Sequence, residues 1–166
     1  MTLKAFQFVN VMLLSLVMGS FWGTWFGLSR SISTITPATF LEVAKVFLQN
    51  FGSTMPVLLP LAILSTIPVI ALLFRRRMTS AFKFTLIGFL LFVIALSGTL
   101  LVNVPIDNQI ATWTLSTLPP DWQEIRDRWG FYHAARTLLT VVGLGLIVVG
   151  ALHSEKSRVR SPRSPL

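Results

Sequence analysis

The sequence predicts an all-α fold: a bundle of four transmembrane helices with an amphipathic interfacial helix and a partly helical outer loop. Three observations lead there. Of 166 residues, 53% are hydrophobic and 12% charged, about half the charge of an ordinary soluble domain, and mean hydropathy is +0.72. Four apolar runs, near residues 6–28, 55–74, 84–102 and 134–152, each approach or exceed the roughly 20 residues that a helix needs to cross a hydrocarbon core. The runs are continuous, without the alternation of lipid-facing and lumen-facing residues that marks a membrane barrel.

The same arithmetic excludes whole classes of function. A water-soluble enzyme of this size could not hide so much apolar surface, and a disordered adaptor would not carry it. The absence of cysteine removes disulfides, thiolate metal sites and catalytic thiols. Two histidines supply a protein-only metal or haem site poorly. No metal and no other cofactor is therefore expected, and the formal net charge of +8 is assigned to topology rather than to nucleic acid.

The first run, Phe6–Leu28, is too long and too aromatic for a cleaved leader, with Phe21, Trp22, Trp25 and Phe26 in its second half. Gly19, Gly23 and Gly27 recur every four residues and make a flat groove for another helix, either inside the bundle, the favoured reading, or between two copies of the chain. Pro37 to Phe51 then reads as the interfacial helix. Thr36 caps it, Pro37 starts it and Gly52 stops it. Phe40, Val43, Ala44, Phe47 and Phe51 share one stripe, opposite Glu42, Lys45 and Gln49. In the second run, Met55–Phe74, Pro68 predicts a kink that Ser65 or Thr66 relieves.

Lys and Arg set the orientation. One side receives Lys4, Arg75, Arg76, Arg77, Lys83 and the basic residues of the tail, nine in all, and the other receives five. Both termini are thus expected in the cytoplasm, with the chain in a bacterial inner membrane. Residues 1–152 form one membrane-embedded domain in this reading, and residues 153–166 form a basic, disordered tail.

After the third run, Phe84–Val102, the outer loop begins. Pro105 opens a short helix with Ile106, Ile110 and Trp113 on one face. Asp121 with Glu124 three residues later marks the start of a last helix that runs without a break into the fourth span, roughly 45 Å in all. On it, Trp122, Arg126, Trp129, His133 and Arg136 fall on one stripe. Arg136 lies about a turn inside the span, where an unpaired charge is costly, so it needs a partner facing the bundle. Asp107, Asn103 and Asn108 are the candidates at that depth. The stripe is either an interfacial aromatic belt with a structural arginine or a polar pocket in which Asn103 and Asn108 donate, His133 acts as acid–base and Arg136 stabilises an anion.

The runs N-V-P-I-D-N-Q-I-A-T-W at Asn103–Trp113, P-P-D-W at Pro119–Trp122, R-D-R-W at Arg126–Trp129 and Y-H-A-A-R-T at Tyr132–Thr137 resemble the anthrone oxygenase-like family of four-helix membrane proteins. The resemblance implies Asn103, Pro105, Asn108, Trp122, Trp129, His133 and Arg136 as the shared polar and aromatic set, with Asp107 where many relatives have Asn. It also implies oxidation of an anthrone or a similar phenolic by dioxygen. His133 would then take the proton from the carbon opposite the carbonyl. Arg136 with Asn103 or Asn108 would hold the enolate oxygen. Trp25, Trp113 and Trp129, with Asp107, would surround the flat substrate. The alternative is a non-catalytic accessory protein that binds a partner or lipid through its outer loop, and small-molecule transport is disfavoured by the absence of internal repeats.

Overall fold

The computed structural model describes residues 2–159, and all regular structure among them is helical. Helix α1 (Leu3–Thr24) ends in a π-helical turn at Trp25–Ser29 and a short 3-10 turn at Ile32–Thr34. Helices α2 (Pro37–Leu64) and α3 (Thr66–Arg75) make the second crossing. Helix α4 (Thr79–Gly98), a second π turn (Thr99–Asn103) and α5 (Val104–Thr112) make the third. Helix α6 (Trp122–Val159) makes the fourth. Four helices are thus long and apolar enough to span a membrane.

The burial pattern suits lipid rather than water. Phe8, Met12, Leu16, Val57, Leu61, Ile87, Ile94, Leu138 and Val142 face outward and exposed, whereas Asn10, Thr66, Thr85, Asn103, His133, Thr137 and Thr140 are almost fully buried. With no water in the hydrocarbon to bond them, polar groups gain most by turning inward. At the centre, Leu14, Val17 and Phe21 of α1 pack with Leu59, Ala62 and Ile63 of α2, Phe92 of α4 and Ile147 of α6.

The expected interfacial helix does not stop at Gly52. It continues through Pro56 and Pro60 to Leu64, so it is fused to the second span. A glycine inside a helix costs only about 1 kcal/mol and does not end one without a capping geometry. Thr36 does cap the start, with its hydroxyl accepting from the Thr39 N–H at 3.3 Å. The predicted stripe turns inward: Phe40 and Ala44 are buried and Val43, Phe47 and Phe51 half-buried, with Leu41 buried beside them, while Glu42, Lys45 and Gln49 are exposed. The break comes at Ser65, three residues before Pro68. Pro68 has no N–H to offer the Leu64 carbonyl, and beside this break Asn10 of α1 donates at 2.8 Å to both Ser65 Oγ and Thr66 Oγ1.

The glycine groove of α1 is not an internal contact. A side chain built at Gly19, Gly23 or Gly27 would meet nothing within 4 Å. Gly19 and Gly23 each lie two residues from buried Phe21, which at about 100° per residue puts them on the far side of the helix. Close helix approach occurs instead between α4 and α6, where a Cβ on Gly88 would stand 2.6 Å from the Gly143 carbonyl and one on Gly150 would stand 2.5 Å from Thr85 Oγ1.

Helix α6 is unbroken through Gly130, as the sequence predicts, and its 38 residues extend about 57 Å. It continues to Val159, into the segment expected as a disordered tail; the rest of that tail lies outside the described residues. Lys4 of α1 and Glu155 of α6 pair at 2.6 Å, so both ends of the helical chain meet at one end of the bundle. From there, about 30 Å of hydrocarbon reaches the level of Thr24, Phe51, Thr99 and His133. The first half of α2, α5 and the start of α6 stand beyond it and form a cap, in which Phe40, Ile106, Ile110, Trp113 and Trp122 cluster.

Gly88→Ala is expected to lower the stability of the purified protein by about 1–3 kcal/mol, because the added methyl collides with backbone. Gly23→Ala is expected to leave stability unchanged or to raise it by up to about 1 kcal/mol. Thermal unfolding in one detergent, followed by tryptophan fluorescence, compares the two.

Candidate functional site

The cap and the bundle meet around a small, partly open cavity with about 60 Å³ of free interior volume. Its wall is apolar on the α1–α2 side, from Leu28, Ile32, Phe40, Phe47 and Phe51. Polar groups come from α5 and α6: Asp107, Arg126, Trp129, His133 and Arg136. Steps of three and four along α6 aim its four side chains the same way. The two π turns flank the cavity, and the second places Thr99 and Asn103 beside α6. Pro105, which cannot donate to the Leu101 carbonyl, explains why the ladder changes register there.

His133 is completely buried. Its Nε2 lies 3.1 Å from the Phe21 carbonyl oxygen. A carbonyl only accepts, so Nε2 carries the hydrogen and Nδ1 keeps the lone pair. That lone pair accepts from Arg136, from Nη2 at 2.6 Å and from Nε at 3.1 Å. The third guanidinium nitrogen, Nη1, donates to Thr99 Oγ1 at 3.1 Å. The Phe21 ring lies 4.5 Å beneath the guanidinium carbon. The Trp129 ring stacks on His133, with 5.0 Å between centroids and 5° between planes.

The partner expected for Arg136 is different. Neither Asn103 nor Asn108 bonds to it, and Asp107 accepts instead from Trp129 Nε1 at 2.7 Å. The guanidinium is served from its own helix by His133 and from the π turn by Thr99, both close enough to bond it without a second charge. Asn103 is fully buried behind the wall, donating to the Trp129 carbonyl at 3.2 Å, with its own Oδ1 left without a partner. Asn108 is exposed on α5.

Four of the sequence-predicted site residues therefore come together on the cavity: Asp107, Trp129, His133 and Arg136. Trp25 does not line it and contacts Trp22 edge-on. Trp113 is buried in the apolar cap. Sequence reasoning missed Thr99, the Phe21 carbonyl and the cavity role of Phe40, Phe47 and Phe51. It placed Arg126 on the stripe without assigning it to the site. Arg126 is 7% exposed, lies over the Trp122 ring at 5.1 Å and pairs with the exposed Asp127 at 2.8 Å. Among the described residues, no group of three or more His, Asp or Glu gathers as a metal site.

A small polytopic helical protein with one aromatic-walled, cationic cavity at the membrane boundary is the class these features define. A family model described as anthrone oxygenase matches residues 47–146, more than half of the chain, and the chain belongs to that family. The match includes the polar wall from Asp107 to Arg136 and leaves out α1, with Phe21 and Thr24. No curated protein and no solved structure matches the chain.

Replacing His133 by Ala removes the acceptor of two guanidinium hydrogen bonds and strands the buried cation. A loss of about 3–5 kcal/mol is expected, against less than about 0.5 kcal/mol for the exposed Asn108→Ala. Unfolding midpoints of both variants in one detergent check the contrast.

Proposed function

We propose that the chain oxidises a flat, lipophilic anthrone-like or phenolic molecule with dioxygen, in the cavity between α2 and α6. The observation that carries this reading is a buried guanidinium, fixed on three sides, lining an aromatic-walled cavity at the membrane boundary. Family membership supports the same chemistry. A substrate of this kind dissolves in the bilayer, and a site level with the hydrocarbon edge suits it.

The reaction replaces a methylene by a carbonyl. A base takes one proton from the ring carbon opposite the existing carbonyl, and the electron pair delocalises into an aromatic enolate. Electrons pass from that carbanion to dioxygen, a carbon–oxygen bond forms, and loss of water from the hydroperoxide leaves the quinone. One oxygen atom of dioxygen ends in the new carbonyl and the other in water. The protein must accept the proton, stabilise the enolate oxygen and keep bulk water away.

Arg136 suits the second task, because its charge is held in place before the substrate arrives. For the first, Asp107 is the group with an oxygen to spare: Oδ1 accepts from Trp129 Nε1, and the carboxylate lines the cavity. The base role that the sequence suggests for His133 requires its Nδ1 lone pair, which Arg136 occupies. We therefore read His133 as a positioning residue for Arg136, and Trp129 as the surface on which the substrate ring rests. Both termini are read as cytoplasmic, from the excess of Lys and Arg at their end of the bundle.

Oxygen uptake with an anthrone, measured on protein in detergent or nanodiscs, tests these roles. Asp107→Asn keeps an acceptor for Trp129 and loses the base, so kcat is expected to fall by about 10²–10⁴. His133→Gln keeps one donor and one acceptor and should retain activity within roughly tenfold, against a loss of about 10²–10³ for Arg136→Gln. Full loss in His133→Gln, with Asp107→Asn unaffected, would return the base to His133. No uptake by the parent protein would reject the oxygenase reading.

A further inference from the structure

We propose that a second cavity, at the end of the bundle where the chain termini meet, binds the phosphodiester headgroup of an anionic phospholipid. This cavity is separate from the site described above, lies at the opposite end of the helices and does not depend on the proposed reaction. It is a half-open hollow with about 370 Å³ of free volume. Three elements converge on it: Leu3, Lys4 and Gln7 from the start of α1, Arg76 to Ser80 from the α3–α4 turn, and Ser154 with Glu155 from α6.

Its chemistry is graded as a headgroup is graded. Three cations, Lys4, Arg76 and Arg77, face it, against one carboxylate, Glu155, which already pairs with Lys4. The Thr79 and Ser80 hydroxyls stand beside them at the start of α4. The inner wall is polar and buried: Gln7 and Ser154 are 8% and 6% exposed and bonded to each other at 3.1 Å. Leu3 and Met78 supply apolar surface for the glycerol and upper acyl chain. Basic pockets between helices at a membrane face are a recurring way of holding anionic headgroups.

The backbone adds an independent sign. Arg77 has φ 53°, the one non-glycine residue with positive φ among the described residues. It occupies the left-handed position of a Schellman turn, with Met78 N–H bonded to the Leu73 carbonyl and Arg77 N–H to the Phe74 carbonyl. Glycine is the usual residue there. An arginine in that position is strained for the turn itself, and it is one of the three cations that line the cavity. Anchoring of topology alone would be served equally by a basic residue one position away, as Arg75 and Lys83 show.

The test uses the full-length protein in an uncharged detergent, with melting followed by tryptophan fluorescence. Added phosphatidylglycerol is expected to raise the midpoint by about 5–10 °C relative to phosphatidylcholine of the same chains at saturation. Inorganic phosphate at millimolar concentration should not reproduce the rise; if it does, the site takes free phosphate and the lipid assignment is wrong. Arg77→Gly relieves the backbone strain, so it should be at least as stable as the parent in phosphatidylcholine while losing most of the phosphatidylglycerol shift. Arg76→Gln should lose it as well, without touching the left-handed turn. Lys83→Gln, exposed at the same end and outside the cavity, should keep the shift. Equal shifts with both lipids, a full shift in Arg77→Gly, or an equal loss in Lys83→Gln would each overturn the proposal, the last by showing diffuse attraction without a site.

Discussion

A guanidinium in the interior of a membrane protein has to be compensated, and much of the cap end of this molecule is arranged around Arg136. Its nitrogens end on His133 Nδ1 and Thr99 Oγ1, and its face rests on the Phe21 ring. These three groups come from three of the four crossings. His133 lies one turn earlier on the same helix, Thr99 sits where α4 gives way to a π turn, and Phe21 is near the end of α1. Its hydrogen bonds thus go to neutral acceptors, and no carboxylate bonds it directly. A carboxylate in direct contact would have quenched it. Asp107 spends its Oδ1 on Trp129 Nε1 and acts on Arg136 through its charge, with no hydrogen bond between the two.

That arrangement depends on where the helices change character. Both π turns, Trp25–Ser29 and Thr99–Asn103, fall at the level where the hydrocarbon ends. Below it the bundle is tight: Gly88 and Gly143 bring α4 against α6 backbone to backbone. Above it the helices separate, and the phenylalanines of α2 face the polar stripe of α6 across the cavity. The fusion of the cap to the second crossing matters here. One continuous helix from Pro37 to Leu64 fixes Phe40, Phe47 and Phe51 relative to the membrane, where a hinge at Gly52 would have let them swing.

The architecture was legible in the sequence because it rests on two strong signals, apolar run length and helical spacing. The stripe from Trp122 to Arg136 could be read because steps of three and four on an unbroken helix leave no choice of face. Contacts between helices were less legible. The spacing of Gly19, Gly23 and Gly27 is as regular as that of any packing motif, yet the face turned inward on α1 carries Asn10, Leu14, Val17 and Phe21. Gly88 and Gly143, neither of them part of a four-residue repeat, make the close approach instead. Nothing along the chain announces which of two glycine faces meets a neighbour. The same limit hid the role of Thr99 and sent Asn108 to the wrong side of α5. Thr99 sits before a register change that periodic counting cannot see. Beyond Asn103, counting at 3.6 residues per turn no longer continues the face of α4. Phe40, Phe47 and Phe51 were visible as a stripe, but what the stripe would face was not.

The proposed chemistry requires Arg136 to receive an anionic oxygen from a flat ring in the cavity. Equilibrium binding of an unreactive planar phenolate, such as a hydroxyanthraquinone above its ionisation pH, measures this without any turnover. Parent protein and Arg136→Gln, each in nanodiscs of one lipid composition, would be compared through quenching of tryptophan fluorescence. The account predicts saturable binding to the parent that weakens by about 10–100-fold in the variant, the loss of one buried charge-assisted hydrogen bond. Equal affinity in the two proteins would contradict it.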